Sequence, residues 1–284
     1  MNKIWFTVAL VLVISFNTCF SQTSELDSIF DMLLFEEVTT PTAAKDIKYQ
    51  FLYASIDMSN KTVFAGRESG VEGLFDAAGQ ISWFHSSGFS AGIAGIWYNK
   101  IAPNYNTTIL SLGYSKQLKS SKKISYRFGL NRFISSDKSY SGKYNNSFGT
   151  GFTYRRSRVG MRFDISVPFG KEVTSSYSYD IYSKFKLVDK NNWDITLQPE
   201  FSVYFSKETF WMIDSNVNIT EEYYQSEKFG LMNSYVKLPL DLTIGDFDLG
   251  FTYYYNMPTT NSNIDTYENN SFFNISLGYM FELK

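Results

Sequence analysis

The sequence predicts an all-β fold: a twelve-stranded antiparallel transmembrane β-barrel, preceded by a short N-terminal amphipathic helix. Three observations lead to this prediction. From about residue 47 apolar and polar side chains alternate in segment after segment, which is the period of a strand with two different faces. The connections between these segments alternate strictly between short and long. After residue 16 no apolar run approaches the roughly 20 residues of a membrane-spanning helix, so any membrane crossing must be made by strands.

The alternation predicts twelve strands. One segment carries large apolar side chains at every second position, and these are Phe247, Leu249, Phe251, Tyr253 and Tyr255. The segments lie at about 47–58, 76–86, 88–98, 107–117, 123–134, 147–156, 158–168, 176–187, 192–206, 228–244, 246–256 and 271–283. The first of them carries apolar residues on both faces.

The lengths of the connections distinguish a barrel from a soluble sandwich. Short connections are expected near Ser86–Gly88, Leu118–Lys122, Arg156–Ser157, Val188–Asn191 and Gly245. Long ones are expected at 59–75, 99–106, 135–146, 169–175, 207–227 and 257–270. Tight turns on one rim and long loops on the other are typical of outer-membrane barrels, and an even strand number puts both termini on the tight-turn, periplasmic side. Nothing in a soluble sandwich requires this alternation.

The strand lengths and the aromatic residues agree with a membrane-spanning barrel. Ten residues tilted near 40° rise roughly 26 Å, which matches an apolar band of about 25 Å. Aromatic residues form 18% of the chain, and they recur near both predicted interfaces. Those near the short-turn ends are Trp83, Tyr114, Tyr126, Tyr154, Trp193 and Tyr279, and those near the other ends are Trp97, Tyr177, Tyr179, Tyr253 and Tyr255.

The N-terminal region differs from the rest of the chain. Residues 1–21 contain a basic start, the apolar run Ile4 to Phe16 and small residues, which predicts a signal peptide cleaved after Ser21. Residues 22–46 then form a separate helix and linker, with the amphipathic helix at 25–36, and residues 47–284 form the barrel. Cleavage would remove the single cysteine, Cys19, so neither a disulfide nor a thiolate site is expected.

The end of the last predicted strand resembles a known signal. Ser276, Gly278, Phe281 and Leu283 match the polar–x–Gly–x–x–aromatic–x–apolar pattern of the C-terminal β-signal of Gram-negative outer-membrane β-barrel proteins. The chain departs from that pattern by ending in Leu and by continuing to Lys284. The resemblance implies a barrel in the cell outer membrane, inserted by the barrel-assembly machinery and surrounded by lipid and lipopolysaccharide.

Chemical motifs are few. The sole histidine, His85, precedes Ser87 by two residues, and this pair resembles the His-x-Ser pair of outer-membrane phospholipase A, whose histidine is the general base for the serine. Here the pair lies at a predicted short turn, and the closest downstream asparagine, Asn99, lies at the far end of the next strand. We therefore expect a plain turn and no enzyme. No metal-ligand spacing or cofactor motif is recognisable, and a net charge of −2 argues against nucleic acid as a partner.

The candidate functional residues are the charged side chains that strand phase directs into the lumen. They are Arg127, Arg155, Arg162, Asp164, Asp180, Lys184, Lys186, Asp194, Glu200, Lys237, Asp241 and Asp248. Two interpretations are open: a charged constriction that selects solutes, or cross-strand ion pairs that fill and stiffen the barrel. Twelve strands give a backbone diameter of roughly 24 Å, which leaves a narrow channel at most.

The sequence favours a small passive, porin-like channel for small hydrophilic solutes. The alternative is a closed structural or interaction barrel that acts through the loops at 207–227 and 257–270 or through the N-terminal helix. A lipid hydrolase that uses Ser87 and His85 is a third, weaker hypothesis. The helix has an apolar face that requires a partner, either inside the lumen or in the periplasm.

Overall fold

The structure is a computed structural model that describes residues 49–64, 66–68, 71, 73–101, 103–136, 144–213, 223–259 and 267–283. The predicted signal peptide at 1–21, the helix at 25–36 and the linker that follows it lie outside these residues. Within the described ranges, no helix is long and apolar enough to cross a membrane.

The described part of the chain contains sixteen strands. In chain order they are β1 Gln50–Ser59, β2 Val63–Phe64, β3 Arg67–Glu68, β4 Asp76–His85, β5 Phe89–Tyr98, β6 Tyr105–Leu118, β7 Ser121–Ser135, β8 Tyr144–Arg156, β9 Val159–Gly170, β10 Ser176–Ser183, β11 Phe185–Lys190, β12 Trp193–Leu197, β13 Glu200–Ile213, β14 Tyr223–Ile244, β15 Phe247–Pro258 and β16 Asn270–Leu283. The two-residue strands β2 and β3 pair with each other as a separate hairpin in the first long connection.

The other fourteen strands form one closed antiparallel barrel. β10 and β11 are consecutive parts of one barrel strand, separated at Lys184, and β12 and β13 are parts of the next. Gln198 and Pro199 separate β12 from β13, and proline has no N–H to donate to a strand ladder. Twelve barrel strands therefore result, and β1 closes the barrel by pairing with both β4 and β16. The predicted twelve-stranded antiparallel barrel is confirmed.

One predicted loop is shorter than the sequence analysis indicated. The connection at 207–227 is loop only in its centre, because β13 continues to Ile213 and β14 begins at Tyr223. These extensions stay paired, with Ile213 opposite Tyr223. The prediction was wrong here because it ended each strand near the limit of the apolar band, whereas backbone pairing can continue into water beyond that limit.

The two faces of the barrel have inverted polarity compared with a soluble protein. Apolar side chains cover the outer face and stay exposed, for example Leu112 at 62%, Phe89 at 57% and Leu277 at 52%. Polar side chains on the alternate positions are buried inside, and Ser147 and Ser202 are at 0%. A continuous exposed apolar surface of this kind is stable only in contact with lipid, so the outward apolar phase of the predicted transmembrane barrel is observed.

The position of β1 in the barrel explains why its sequence carries apolar residues on both faces. Its outer face carries Ile56 and Met58, which are exposed, while its inner face carries Phe51 and Tyr53, which are buried. Phe51 stacks on Phe84 of β4, with ring centroids 5.0 Å apart. A small apolar cluster therefore lies inside the barrel at the short-turn end.

Candidate functional site

Six of the charged residues proposed from the sequence form one connected group inside the barrel. Arg162 of β9 is its centre. Its Nε donates to Asp180 Oδ2 and its Nη2 donates to Glu200 Oε2, both at 3.0 Å. Only 5%, 5% and 2% of the Arg162, Asp180 and Glu200 side chains are exposed. Such dry charges are tolerated because each has an opposite partner within hydrogen-bonding distance.

The group extends from this triad in both directions around the barrel. On one side, Lys237 of β14 lies directly opposite Glu200 in the strand register, and its Nζ is 6.0 Å from the centre of the Tyr254 ring. On the other side, Arg127 of β7 pairs with Asp164 of β9 at 2.7 Å. The Arg127 and Asp164 side chains remain 21% and 22% exposed, so water reaches this pair although it does not reach the triad. We call these six residues the charged wall.

Part of the opposite side of the lumen is lined by small side chains. In the closed strand order, β9, β10, β13 and β14 are six barrel strands away from β1, β4, β5 and β6, so the two sets face each other across the barrel. Five inward positions of β4 to β6 carry small residues, Ser82, Gly92, Ala94, Ser111 and Gly113, whereas Gln80 and Phe84 are larger inward residues of β4. A Cβ added to Gly92 would meet the hydroxyl oxygens of Ser111 at 2.8 Å and Ser82 at 2.9 Å, which places all three on one face. We call these five residues the small wall.

The other proposed lumen residues do not join the charged wall. They lie towards the short-turn end and have local partners: Thr243 Oγ1 donates to Asp248 Oδ1 at 2.8 Å, and Arg155 Nε donates to the Ser157 carbonyl at 3.3 Å. Lys186 lies 3.7 Å from Asp189 in an exposed pair. The remaining three are Lys184 at the strand break, Asp194 opposite Thr243 and Asp241 opposite Thr196.

The His85 and Ser87 pair forms a turn. His85 Nδ1 lies 2.6 Å from Ser87 Oγ and also accepts the Ser87 backbone N–H at 3.1 Å. Asn99 lies at the other end of β5, where its Oδ1 accepts the Phe75 backbone N–H at 3.0 Å. Asn99 therefore does not lie beside the histidine ring. The described residues include no group of three or more His, Cys, Asp or Glu side chains able to hold a metal ion.

The β2–β3 hairpin of the first long connection folds inward over the long-loop rim, at the opposite end of the barrel from His85 and Ser87. Three asparagines on adjacent strands form a chain in which Asn233 donates to Asn256 at 2.9 Å and Asn256 donates to Asn270 at 3.1 Å. Asn270 then donates to the Gly66 carbonyl at 2.6 Å, in the turn between β2 and β3. The neighbouring Arg67 donates to the Thr259 carbonyl at 3.2 Å. The β2–β3 hairpin is thereby held over strands β14 to β16.

All four residues of the predicted β-signal lie in β16, and one of them, Gly278, makes a close contact across the seam of the barrel. Gly278 faces inward, and the ring of Tyr53 from β1 lies across it so closely that an added Cβ would collide with the phenol. This contact spans the β1–β16 seam that closes the barrel. Ser276 is also inward, opposite Asp57, while Phe281 faces outward and is 49% exposed. Leu283 pairs with Gln50 at the start of β1.

Sequence reasoning missed some residues that the structure brings to the lumen. Ser202 donates to Glu200 Oε1 at 3.3 Å within the triad, and the three asparagines fix the β2–β3 hairpin. Strand phase would have placed all of them inward. They were missed because only charged residues were sought, although neutral amides are equally able to hold a loop.

The chain is similar, at low identity, to several solved structures. No family model and no curated protein sequence matches the chain. The NanC porin is 12% identical over 82% of this chain and 100% of its own, with a TM-score of 0.44. The KdgM porin is 8% identical over 84% and 100%, with a TM-score of 0.42. An outer membrane channel from Pseudomonas putida F1 is 8% identical over 82% and 95%, with a TM-score of 0.47. These are likenesses to the barrel fold, and the twelve-stranded barrel itself is established by the strand pairing described above.

Proposed function

We propose that this outer-membrane barrel is a small passive channel for small hydrophilic solutes. The observation that carries the proposal is the asymmetry of the lumen. The charged wall faces the small wall across the barrel, and the serine, glycine and alanine side chains of the small wall occupy less space than the inward Phe51, Tyr53 and Phe84 near the short-turn end. A polar passage of this shape would run beside the charged wall, where opposed charges can sort solutes by charge as charged rings do in pores.

The water-accessible pair Arg127 and Asp164 is the part of the charged wall that would touch a solute. Two unit charges about 4 Å apart interact by about 1 kcal/mol in bulk water, which corresponds to about a fivefold preference. Neutralising one member of the pair should therefore change ion selectivity by about this factor. Arg127→Gln should favour cations, and Asp164→Asn should favour anions.

The test is the current carried by refolded protein in planar lipid bilayers, with reversal potentials measured in a salt gradient. Arg132→Gln is the matched control, because Arg132 is exposed near the long-loop end of β7 and donates to Asn146 at 2.9 Å outside the charged wall. We expect measurable current, opposite selectivity shifts for the two lumen variants and no shift for the control. Absence of current would contradict the channel.

A closed barrel is the second candidate, and the dry triad of Arg162, Asp180 and Glu200 favours it. At most 5% of each of these side chains is exposed, so solvent contacts this part of the wall very little. In this case the β2–β3 hairpin and the long loops would be the functional surface, and the barrel their support. The conductance measurement separates the two candidates directly.

The proposal includes an orientation and a route of assembly. The short turns and both termini of the chain would lie in the periplasm, with the long loops at the cell surface beside lipopolysaccharide. β16, with Ser276 and Gly278 on its inner face, would be the strand that the barrel-assembly machinery binds. We propose no enzymatic activity, because the pair of His85 and Ser87 caps a turn.

A further inference from the structure

We propose that a cleft on the short-turn rim binds the phosphate-containing headgroup of an anionic glycerophospholipid. The cleft lies between the β4–β5 turn and the β6–β7 turn and has a volume of about 380 Å³. Three lysines line it, Lys116, Lys119 and Lys122, and none of the described residues that line it carries a carboxylate. Its volume falls within the range of roughly 300–1,000 Å³ that small-molecule sites occupy.

The polar part of the cleft suits a phosphate ester. Lysine ammonium groups are point charges that donate up to three hydrogen bonds each, and phosphate oxygens accept them strongly. Ser87 adds a hydroxyl and Gln117 adds an amide to the same lining. These groups come from two neighbouring turns, which are joined because Ser115 donates its backbone N–H to the Gly88 carbonyl at 2.9 Å.

The apolar part of the cleft identifies a lipid as the source of the phosphate. Phe89 and Leu118 also line the cleft, and they are 57% and 38% exposed. Phe89 belongs to the lipid-facing side of β5, where its ring contacts Tyr114 with centroids 5.0 Å apart. A headgroup in the cleft would have its acyl chains against this surface, whereas a soluble phosphate ester would gain nothing from it.

The distribution of charge along the chain supports the same partner. Three short-turn stretches, at 116–123, 155–158 and 184–190, contain ten basic residues and one acidic residue. Two long connections, at 207–227 and 257–270, contain one basic and seven acidic residues. Three turns on the rim that holds the cleft are therefore positive, whereas the turn at Gly245 is followed by the acidic Asp246 and Asp248. Basic groups at a membrane surface attract anionic lipids.

The test is native mass spectrometry of the refolded chain in mixed micelles that contain phosphatidylglycerol and phosphatidylcholine. The variant is Lys116→Gln/Lys119→Gln/Lys122→Gln. Each lysine near an anionic headgroup contributes about a fivefold change in affinity, so the three together should lower retention of phosphatidylglycerol on the order of 100-fold. Migration of unheated and heated samples in gels verifies that each variant is folded.

The matched control removes the same charge at the other rim. Lys100, Lys171 and Lys228 are exposed lysines near the long connections, and their triple change to Gln should leave retention of phosphatidylglycerol within about twofold. An equal loss in this control would overturn the proposal, and so would equal retention of phosphatidylcholine by the unaltered chain. Displacement of the lipid by equimolar glycerol 3-phosphate would assign the cleft to a soluble ligand instead. The proposal does not depend on the channel, because lipid retention is measured without current.

Discussion

Removing the Arg162 guanidinium should be among the most destabilising single changes in the lumen. The side chain is 5% exposed and bonds two carboxylates, Asp180 and Glu200, each at 3.0 Å. Arg162→Met keeps much of the volume and leaves two buried negative charges without their central cation. Breaking a buried ion pair in this way typically costs 3–5 kcal/mol, so we expect about 3–5 kcal/mol of lost unfolding free energy.

The measurement is equilibrium unfolding in urea, with the refolded protein in thin phosphatidylcholine vesicles and tryptophan fluorescence as the signal. Lys186→Met is the matched control. It removes a cation whose partner Asp189 lies 3.7 Å away in an exposed pair, with side chains 45% and 67% exposed, and such pairs contribute about 0–1 kcal/mol. Changing Asp180 to Asn together with Arg162→Met should restore part of the loss, because the remaining carboxylate, Glu200, still has Lys237 opposite it.

A loss below about 1 kcal/mol for Arg162→Met, equal to that of Lys186→Met, would refute this reasoning. It would mean that water surrounds the triad and compensates the unpaired carboxylates. That result would also remove the main observation in favour of a closed barrel, since the closed barrel depends on a dry triad.

Three further changes test other parts of the structure. Gly278→Ala should cost about 1–3 kcal/mol of unfolding free energy in the same urea assay, because its methyl overlaps a packed ring, whereas Gly129→Ala, with only an ordinary contact at 3.8 Å, should cost nothing. Asn270→Ala should speed trypsin cleavage after Arg67 severalfold, as the hairpin loses its anchor; unchanged cleavage would contradict that role. Fatty-acid release from phospholipid micelles should be at background both for the unaltered chain and for His85→Ala. Release by the unaltered chain that falls on this substitution would indicate catalysis.

Strand phase made much of the fold predictable from the sequence. A side chain's face depends only on whether its position in the strand is odd or even, so the outward positions of Phe247, Leu249 and Phe251 follow from local order. The same parity directed Arg162, Asp180 and Glu200 inward. The prediction failed at strand ends, as in the β13–β14 extension. Strand pairing that continues outside the membrane leaves no sequence pattern that shows where the strand ends.

The site was predictable as a set of inward charges and not as an arrangement. Sequence parity could not show that Arg162 would bond Glu200, 38 positions away, or that Arg127 would reach Asp164 across β8. Nor could it place Gly66 against Asn270, which is 204 positions away. Parity is a property of each strand alone. Which charges meet depends on the register between strands, on their tilt and on the closure of β1 against β16, and only the assembled barrel determines those three quantities.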